Sequence, residues 1–442
     1  MTQTRRGFLL GSAAASALFA LPPALMSDVL DSIKSAFAKV PGISPEESAK
    51  DESLWAEVIK AFNLEPGYTN LGTIAYGVPP QLVTEAVVDT FRRDSERRPG
   101  GNLVPGRKEA IRKQLAGYIN CPPEQLAITR NTTEGVNTVL SGWKLEAGDE
   151  ILTTTQEHEA FYGTLAQRES RDGVVVRKIR LPAPAKSPDE LAEVMEKAIT
   201  PRTRLILVCH IYLTGQIFPV RRLSDYAGAH GVRLLVDGAL SFGQIKTDIQ
   251  ELNCDFYAAS CHKFGGGPRG TGLLYIRPEH VSALPPLFGH VDTSIMKSDC
   301  DSPRIQKYEE IGTHSPAMEL SLGQMVDFHQ AIGAERIQAR LHYLKQYWAS
   351  QVADERNIRF TASFDPRLSC GGLGFDIVGK KWVDVAKPLR ENDKIRISGA
   401  WIDGEYGKPE TWREIMLVNP AIFTTPPQLD HYVTALRKAA RS

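Results

Sequence analysis

Lys263 closes the run Ser260-Cys261-His262-Lys263, and Asp237 closes the apolar run Leu234-Leu235-Val236-Asp237 one strand-helix-strand step upstream. Such a step needs a crossover of a dozen or more residues, so both side chains can stand at the same carboxyl edge of a parallel sheet, where open α/β sheets take their ligands. A third piece, Arg130-Asn131-Thr132-Thr133-Glu134-Gly135, follows a strand-like run and opens a helix. Helix N-termini attract phosphate through free N–H groups and the macrodipole. By itself that segment is equally a capping box, Asn131-x-x-Glu134. A lysine to form an imine, a carboxylate to keep a ring nitrogen protonated and a phosphate seat are together what pyridoxal 5′-phosphate (PLP) requires. Lys263 would hold the cofactor and then move the proton at the substrate's α-carbon, and Asp237 would keep the ring an electron sink.

The elements that must position these residues are legible in the hydrophobic pattern. Strand-like runs at Leu126–Thr129, Glu150–Thr154, Val174–Ile179, Arg204–Cys209, Arg233–Val236, Asp255–Ala259 and Thr271–Ile276 alternate with helical segments at 133–144, 158–171, 188–199 and 220–230. That alternation predicts an α/β core around a mostly parallel, seven-stranded sheet. Gly231 is the expected left-handed cap of the last of these helices. From 317 to 354 a long helical stretch is predicted, followed by strands near 358–361, 374–378 and 394–397, which reads as a second, smaller α+β domain. The glycines between Gly265 and Gly272 lack the GxxxxGK[ST] order of a nucleotide loop.

In this order, the motifs Thr132-Thr133-Glu134-Gly135, Glu157-His158, Asp237-Gly238-Ala239, Ser260-x-His262-Lys263 and Gly270-Thr271 resemble the class V aminotransferase family, PLP enzymes of fold type I. His210-x-x-x-Thr214-Gly215 is similar to the isopenicillin-N-epimerase-like branch. The resemblance implies a large PLP domain over 71–315, a small C-terminal domain over 316–442, and a homodimer with the active site at the interface. It implies that His158 and Ala239 flank the cofactor ring, making Lys263, Asp237 and His158 the catalytic set. Thr132, Thr133, Ser260 and His262 would hold the phosphate, and Thr313 would reach the phosphate in the partner subunit. Arg396 would pair with the substrate's α-carboxylate, a task suited to a planar guanidinium.

Two departures qualify the resemblance. Where cysteine desulfurases place a glutamine after the Asp-x-Ala, this chain has Leu240, so Tyr212 or Thr214, taken as substrate-side residues, is expected to supply the missing hydrogen bond. The segment Gly399–Asp403 contains no cysteine, which argues against persulfide chemistry. If the stretch 401–419, with Trp401, Tyr406 and Trp412, folds over the site, it would shape a pocket for an unusual or bulky substrate.

The 442 residues, 42% apolar and 24% charged, describe a folded protein of two or three domains. With 52 basic and 52 acidic residues there is no electrostatic case for nucleic acid, and a small amino-bearing substrate is the expected partner. The six cysteines show no CxxC pair, and no metal site is expected. The N-terminus, Thr4-Arg5-Arg6-Gly7-Phe8-Leu9-Leu10 before an Ala-rich run, reads as a twin-arginine signal. Residues 1–38 are taken as a leader cut after Ala36-Phe37-Ala38 and 39–70 as an N-terminal arm, with a periplasmic destination reached through the twin-arginine machinery. The chain resembles an exported relative that modifies a peptide siderophore, so amino-acid or peptide chemistry of the aminotransferase or epimerase kind is expected. A PLP-dependent C–S lyase and a non-catalytic PLP-fold binding protein are the alternatives.

Overall fold

The computed structural model describes residues 23–96, 105–292, 297–298, 300–405 and 408–441. The Arg5-Arg6 motif and Tyr406 lie outside them. Strands β1 Leu126–Thr129, β2 Glu150–Thr154, β3 Val175–Ile179, β4 Thr203–Cys209, β5 Arg233–Asp237, β6 Phe256–Ser260 and β7 Gly272–Ile276 follow the predicted runs to within a residue. They form one seven-stranded sheet in the order β1-β7-β6-β5-β4-β2-β3. The sheet is parallel from β6 through β3, and β7 runs antiparallel to both of its neighbours.

Period-two alternation explains why both faces of this sheet are covered. Leu152, Ile206, Val208, Leu234 and Val236 enter one apolar core, while Ile151, Leu205, Leu207 and Leu235 enter a second on the opposite face. Gly231 takes the left-handed conformation expected of it, φ +71°.

The predicted helical stretch from 317 is three helices, Ala317–Leu320, Leu322–Ile332 and Ala334–Gln351, broken at Gly333. The last one bridges the cores: Ile337 and Leu341 pack with the large domain, Leu344 and Trp348 with the small one. The small sheet has the order β8-β9-β11-β10, from β8 Ile358–Phe360, β9 Leu373–Ile377, β10 Ser398–Ile402 and β11 Arg413–Val418. One expectation is corrected here. The strand foreseen at 394–397 is the two-residue piece Ile395–Arg396, paired in parallel with Thr69–Asn70 rather than with the small sheet. The stretch 401–419 is tied at its ends into the antiparallel pair β10 and β11.

The arm packs on the helix Ala334–Gln351. Buried Arg340 lies over the Trp55 ring, 5.1 Å away, and reaches the Ala49 and Thr424 carbonyls at 2.8 and 3.0 Å. Residues 23–38 differ from the expected leader: they form a helix whose Ile33 and Phe37 are buried, the latter edge-on against Trp55. A cut after Ala38 would remove this helix together with the buried contacts of Ile33 and Phe37. No helix among the described residues is long and apolar enough to cross a membrane.

Candidate active site

The carboxyl ends of β2, β4, β5 and β6 meet at one edge of the large sheet, and each ends in a polar residue: Thr154, Cys209, Asp237 and Ser260. Above that edge lies a cavity of about 810 Å³, lined by Asp237, Ala239, Ser260, His262 and Lys263 together with Thr132, Thr133 and His158. Eight of the expected site residues are therefore brought together. Segment 74–77, reached from the pairing of Thr69–Asn70 with Ile395–Arg396, crosses above the lysine loop. Gly77 donates its N–H to the His262 carbonyl at 2.8 Å, and a β-carbon at Gly77 would fall 2.0 Å from the Lys263 carbonyl oxygen. Only glycine permits that approach.

At one end of the cavity the helix Thr132–Gly142 begins. Asn131 caps it by accepting the Glu134 N–H at 2.8 Å. Thr132 donates its N–H to the Ser260 hydroxyl at 3.0 Å, and the two hydroxyls lie 2.8 Å apart. Thr133 is exposed into the same space. His262 donates Nδ1–H to the Thr271 carbonyl at 3.0 Å, and burial pulls its pKa below the usual histidine value. These hydroxyls, the imidazole and the helix N-terminus are a donor set for an anion.

In mid-cavity, Asp237 accepts the Ala239 N–H at 2.7 Å, which turns the small Ala239 side chain into the space. His158 accepts the Ala160 N–H on Nδ1 at 3.1 Å, so its proton sits on Nε2. Burial pulls Lys263 below the ordinary lysine range, with the Asp237 charge opposing. The neutral, nucleophilic amine is enriched as a result.

The other four expected site residues do not line the cavity. Tyr212 and Thr214 are fully buried, Tyr212 bonding Glu157 Oε1 at 3.3 Å and the Thr214 carbonyl accepting from Thr361. After β4 the chain doubles back, with Ile211 opposite Ile217 and the Tyr212 N–H on the Gln216 carbonyl. Side chains alternate in such a pairing, so Leu213 faces the cavity and its two neighbours face inward. Arg396 is at the rim, its guanidinium 5.8 Å from the ring of the cavity residue Tyr76. Arg269 stacks on the same ring at 3.9 Å. Thr313 is exposed and outside this chain's cavity.

The outer wall is aromatic: Tyr76, Phe161, Tyr162, Trp401 and Trp412. Beyond β10, Asp403 fastens the small domain to the large one. Its carboxylate accepts from Thr155 (3.3 Å) and Gln156 (3.0 Å) and pairs with Arg180 (3.0 Å). Tyr76, Tyr162 and Asp403 are residues that motif reading passed over, because only the assembled fold brings them here.

The aminotransferase class-V family model matches residues 105–405. The chain belongs to that family. It is similar to isopenicillin N epimerase of Amycolatopsis lactamdurans, 32% identical over 88% of this chain and 99% of that one. A cysteine desulfurase of Cronobacter sakazakii is 34% identical over 76% of this chain and 83% of that one. Among solved structures, a cysteine desulfurase of Escherichia coli superposes with a TM-score of 0.74 at 23% identity, over 88% of this chain and 98% of that one. A cystine C–S lyase in complex with cysteine persulfide superposes with a TM-score of 0.73 at 21% identity, over 84% and 97%. These likenesses establish the fold-type-I architecture.

This class V protein is a PLP-dependent enzyme, and its cavity fits the cofactor. Lys263 would supply the amine, Asp237 the carboxylate for the ring nitrogen, Ala239 and His158 the two ring faces, and Thr132, Thr133, Ser260 and His262 the phosphate donors, all of them lining the one cavity. Bound PLP supplies an electron sink for a bond broken at the amino-bearing carbon. The chain's own part would be to hold the ring-nitrogen proton with Asp237 and to move the α-proton with Lys263, with His158 and the aromatic residues lining the same space.

Proposed function

We propose that this enzyme acts at the amino-bearing carbon of an acidic amino acid or a peptide-derived metabolite, by transamination or epimerisation. The observation that carries this reading is the cavity itself. Lys263 and Asp237 share it with an aromatic wall of Trp401, Trp412 and Tyr162, and at its mouth Arg396 and Arg269 flank Tyr76. Neither guanidinium has a carboxylate partner among the described residues. Guanidiniums of this kind pair with carboxylates in bidentate fashion, and the volume leaves room for more than a free amino acid's side chain.

We further propose that it is exported folded and PLP-loaded through the twin-arginine machinery to the periplasm, as a homodimer, with siderophore maturation among its roles. The leader motif supports export, and exposed Thr313 supports a site completed by a partner subunit. C–S lysis is the competing reading. Lysis needs only Lys263, whereas desulfuration needs a cysteine, and no cysteine lines the cavity among the described residues. Cys370, the nearest candidate in sequence, is buried against the Gln244 and Gln338 carbonyls.

The test incubates the PLP-loaded protein in deuterated water with free amino acids, N-terminal peptides and cysteine conjugates. Amino-group transfer to a 2-oxo acid or stereochemical inversion supports the proposal. Pyruvate and ammonia from a cysteine conjugate, with no exchange on other substrates, would replace it by lysis.

A further inference from the structure

Behind the cavity floor, two buried carboxyl groups are linked through one sulfur. Cys209 ends β4 and is the register partner of Asp237 at the end of β5. Its Sγ lies 3.0 Å from Glu157 Oε2 and 3.7 Å from Asp237 Oδ2. A single S–H cannot donate to both. With one sulfur between them, each buried carboxylate's charge raises the cost of ionising the other.

Their surroundings decide which one is charged. Asp237 accepts the Ala239 N–H on Oδ1 and shares the cavity with the Lys263 amine. Tyr257, on the next strand, commits its hydroxyl to Ser241. Glu157 meets only neutral donors: the Thr154 hydroxyl at 2.9 Å and the Tyr212 hydroxyl at 3.3 Å, both on Oε1. The Tyr162 hydroxyl goes to main-chain oxygens of Thr155 and Glu157, not to the carboxyl. Burial pushes the Glu157 carboxyl up to about 8, and the Asp237 charge adds to the push. Burial also drives the Cys209 thiol well above its usual range, so it remains S–H.

We propose that Glu157 stays protonated and donates to Cys209 Sγ, while Cys209 S–H donates to Asp237 Oδ2, so that this pair holds Asp237 ionised beneath the cofactor's ring nitrogen. Glu157 and Cys209 are then positioning residues. They touch no substrate and act through Asp237, whose negative charge keeps the ring nitrogen protonated.

The proposal rests on PLP binding at Lys263. If the wild type, loaded with PLP, shows no lysine-linked visible absorbance, that reading fails first. With loading established, the full-length holoenzyme and its E157Q, C209A and C209S variants are compared using ¹⁵N-labelled PLP. Three readouts are taken: the ring-nitrogen shift, the pH titration of the visible spectrum and thermal melting. E157Q should keep the wild-type ring-nitrogen signal, because the amide still accepts from Thr154 and Tyr212 and donates to sulfur. C209A should displace the spectral titration by about one pH unit and move the nitrogen signal toward the unprotonated form. C209S, which restores a donor, should return both. The proposal is overturned if C209A changes melting but leaves nitrogen shift and titration unaltered, or if E157Q displaces them as far as C209A does.

Discussion

Lys263 is the residue on which the chemistry turns, and its environment makes it a weaker base than a surface lysine. K263A is expected to lose the lysine-linked absorbance and to lower turnover by about 10³-fold or more; a spectrophotometric titration with PLP and single-turnover assays check this. Glu157 yields a prediction about stability. Its folded pKa of about 8 lies above the ordinary glutamate value of 4.5, so between these limits the folded state binds more protons than the unfolded one. The stability contributed by Glu157 is therefore complete below about 4.5 and is lost as pH rises through about 8. Denaturant melts at pH 5 and pH 8 should show E157Q losing less stability over that interval than the wild type. An identical slope in the two proteins would show that Glu157 is ionised throughout. Among the rim residues, R396A should raise KM for a carboxylate substrate by about 10- to 100-fold with a smaller change in kcat, the loss expected for one charged hydrogen-bonding pair.

Single elements carry two further expectations. The helix Pro23–Ala38 buries Ile33 and Phe37 against Trp55 and the helix Leu322–Ile332. Truncation to Lys39 should lower Tm markedly, and F37A alone should cost about 3 kcal/mol, while a chain starting at Pro23 should melt like the full one. Sequencing the N-terminus of the exported form provides an independent check: a mature start at Lys39 would contradict the integration of this helix. The Asp403 fastening is the other case. D403A releases the turn after β10 from Thr155, Gln156 and Arg180. KM for a bulky substrate should rise several-fold and Tm should fall modestly, because the lost hydrogen bond to buried Gln156 and the left-handed backbone at residue 403 both weigh on stability, while the exposed Arg180 contributes little.

At the scale of the whole molecule, Thr313 distinguishes a self-sufficient subunit from a shared site. It lies outside its own chain's cavity, on an exposed loop. If the partner's copy completes the phosphate seat, refolding K263A and T313R together should produce mixed dimers with activity that neither variant has alone. Sedimentation should show a dimer in both preparations. A T313R dimer as active as the wild type would place Thr313 outside the site, and a dimeric mixture that stays inactive would place it in its own chain's site.

The large sheet was legible in sequence because strands covered on both faces are written as short, unbroken apolar runs, and β1 to β7 appeared where those runs lie. The lysine, the aspartate and the phosphate seat were legible for a related reason: each sits at the end of such a run, where chain direction alone dictates which edge of the sheet it reaches. Beyond this, local pattern loses its hold. Leu213 rather than Tyr212 or Thr214 faces the cavity because a reversal after β4 sets the alternation. Residues 23–38 read as part of a leader, yet their apolar face finds a partner in the arm and the helix Leu322–Ile332. The link from Glu157 through Cys209 to Asp237 joins three strand ends far apart in the chain. Spacing along the sequence thus determined what could meet at the sheet edge, whereas packing decided which side chains face the cavity and which carboxyl keeps its proton, since both depend on neighbours that only the folded chain supplies.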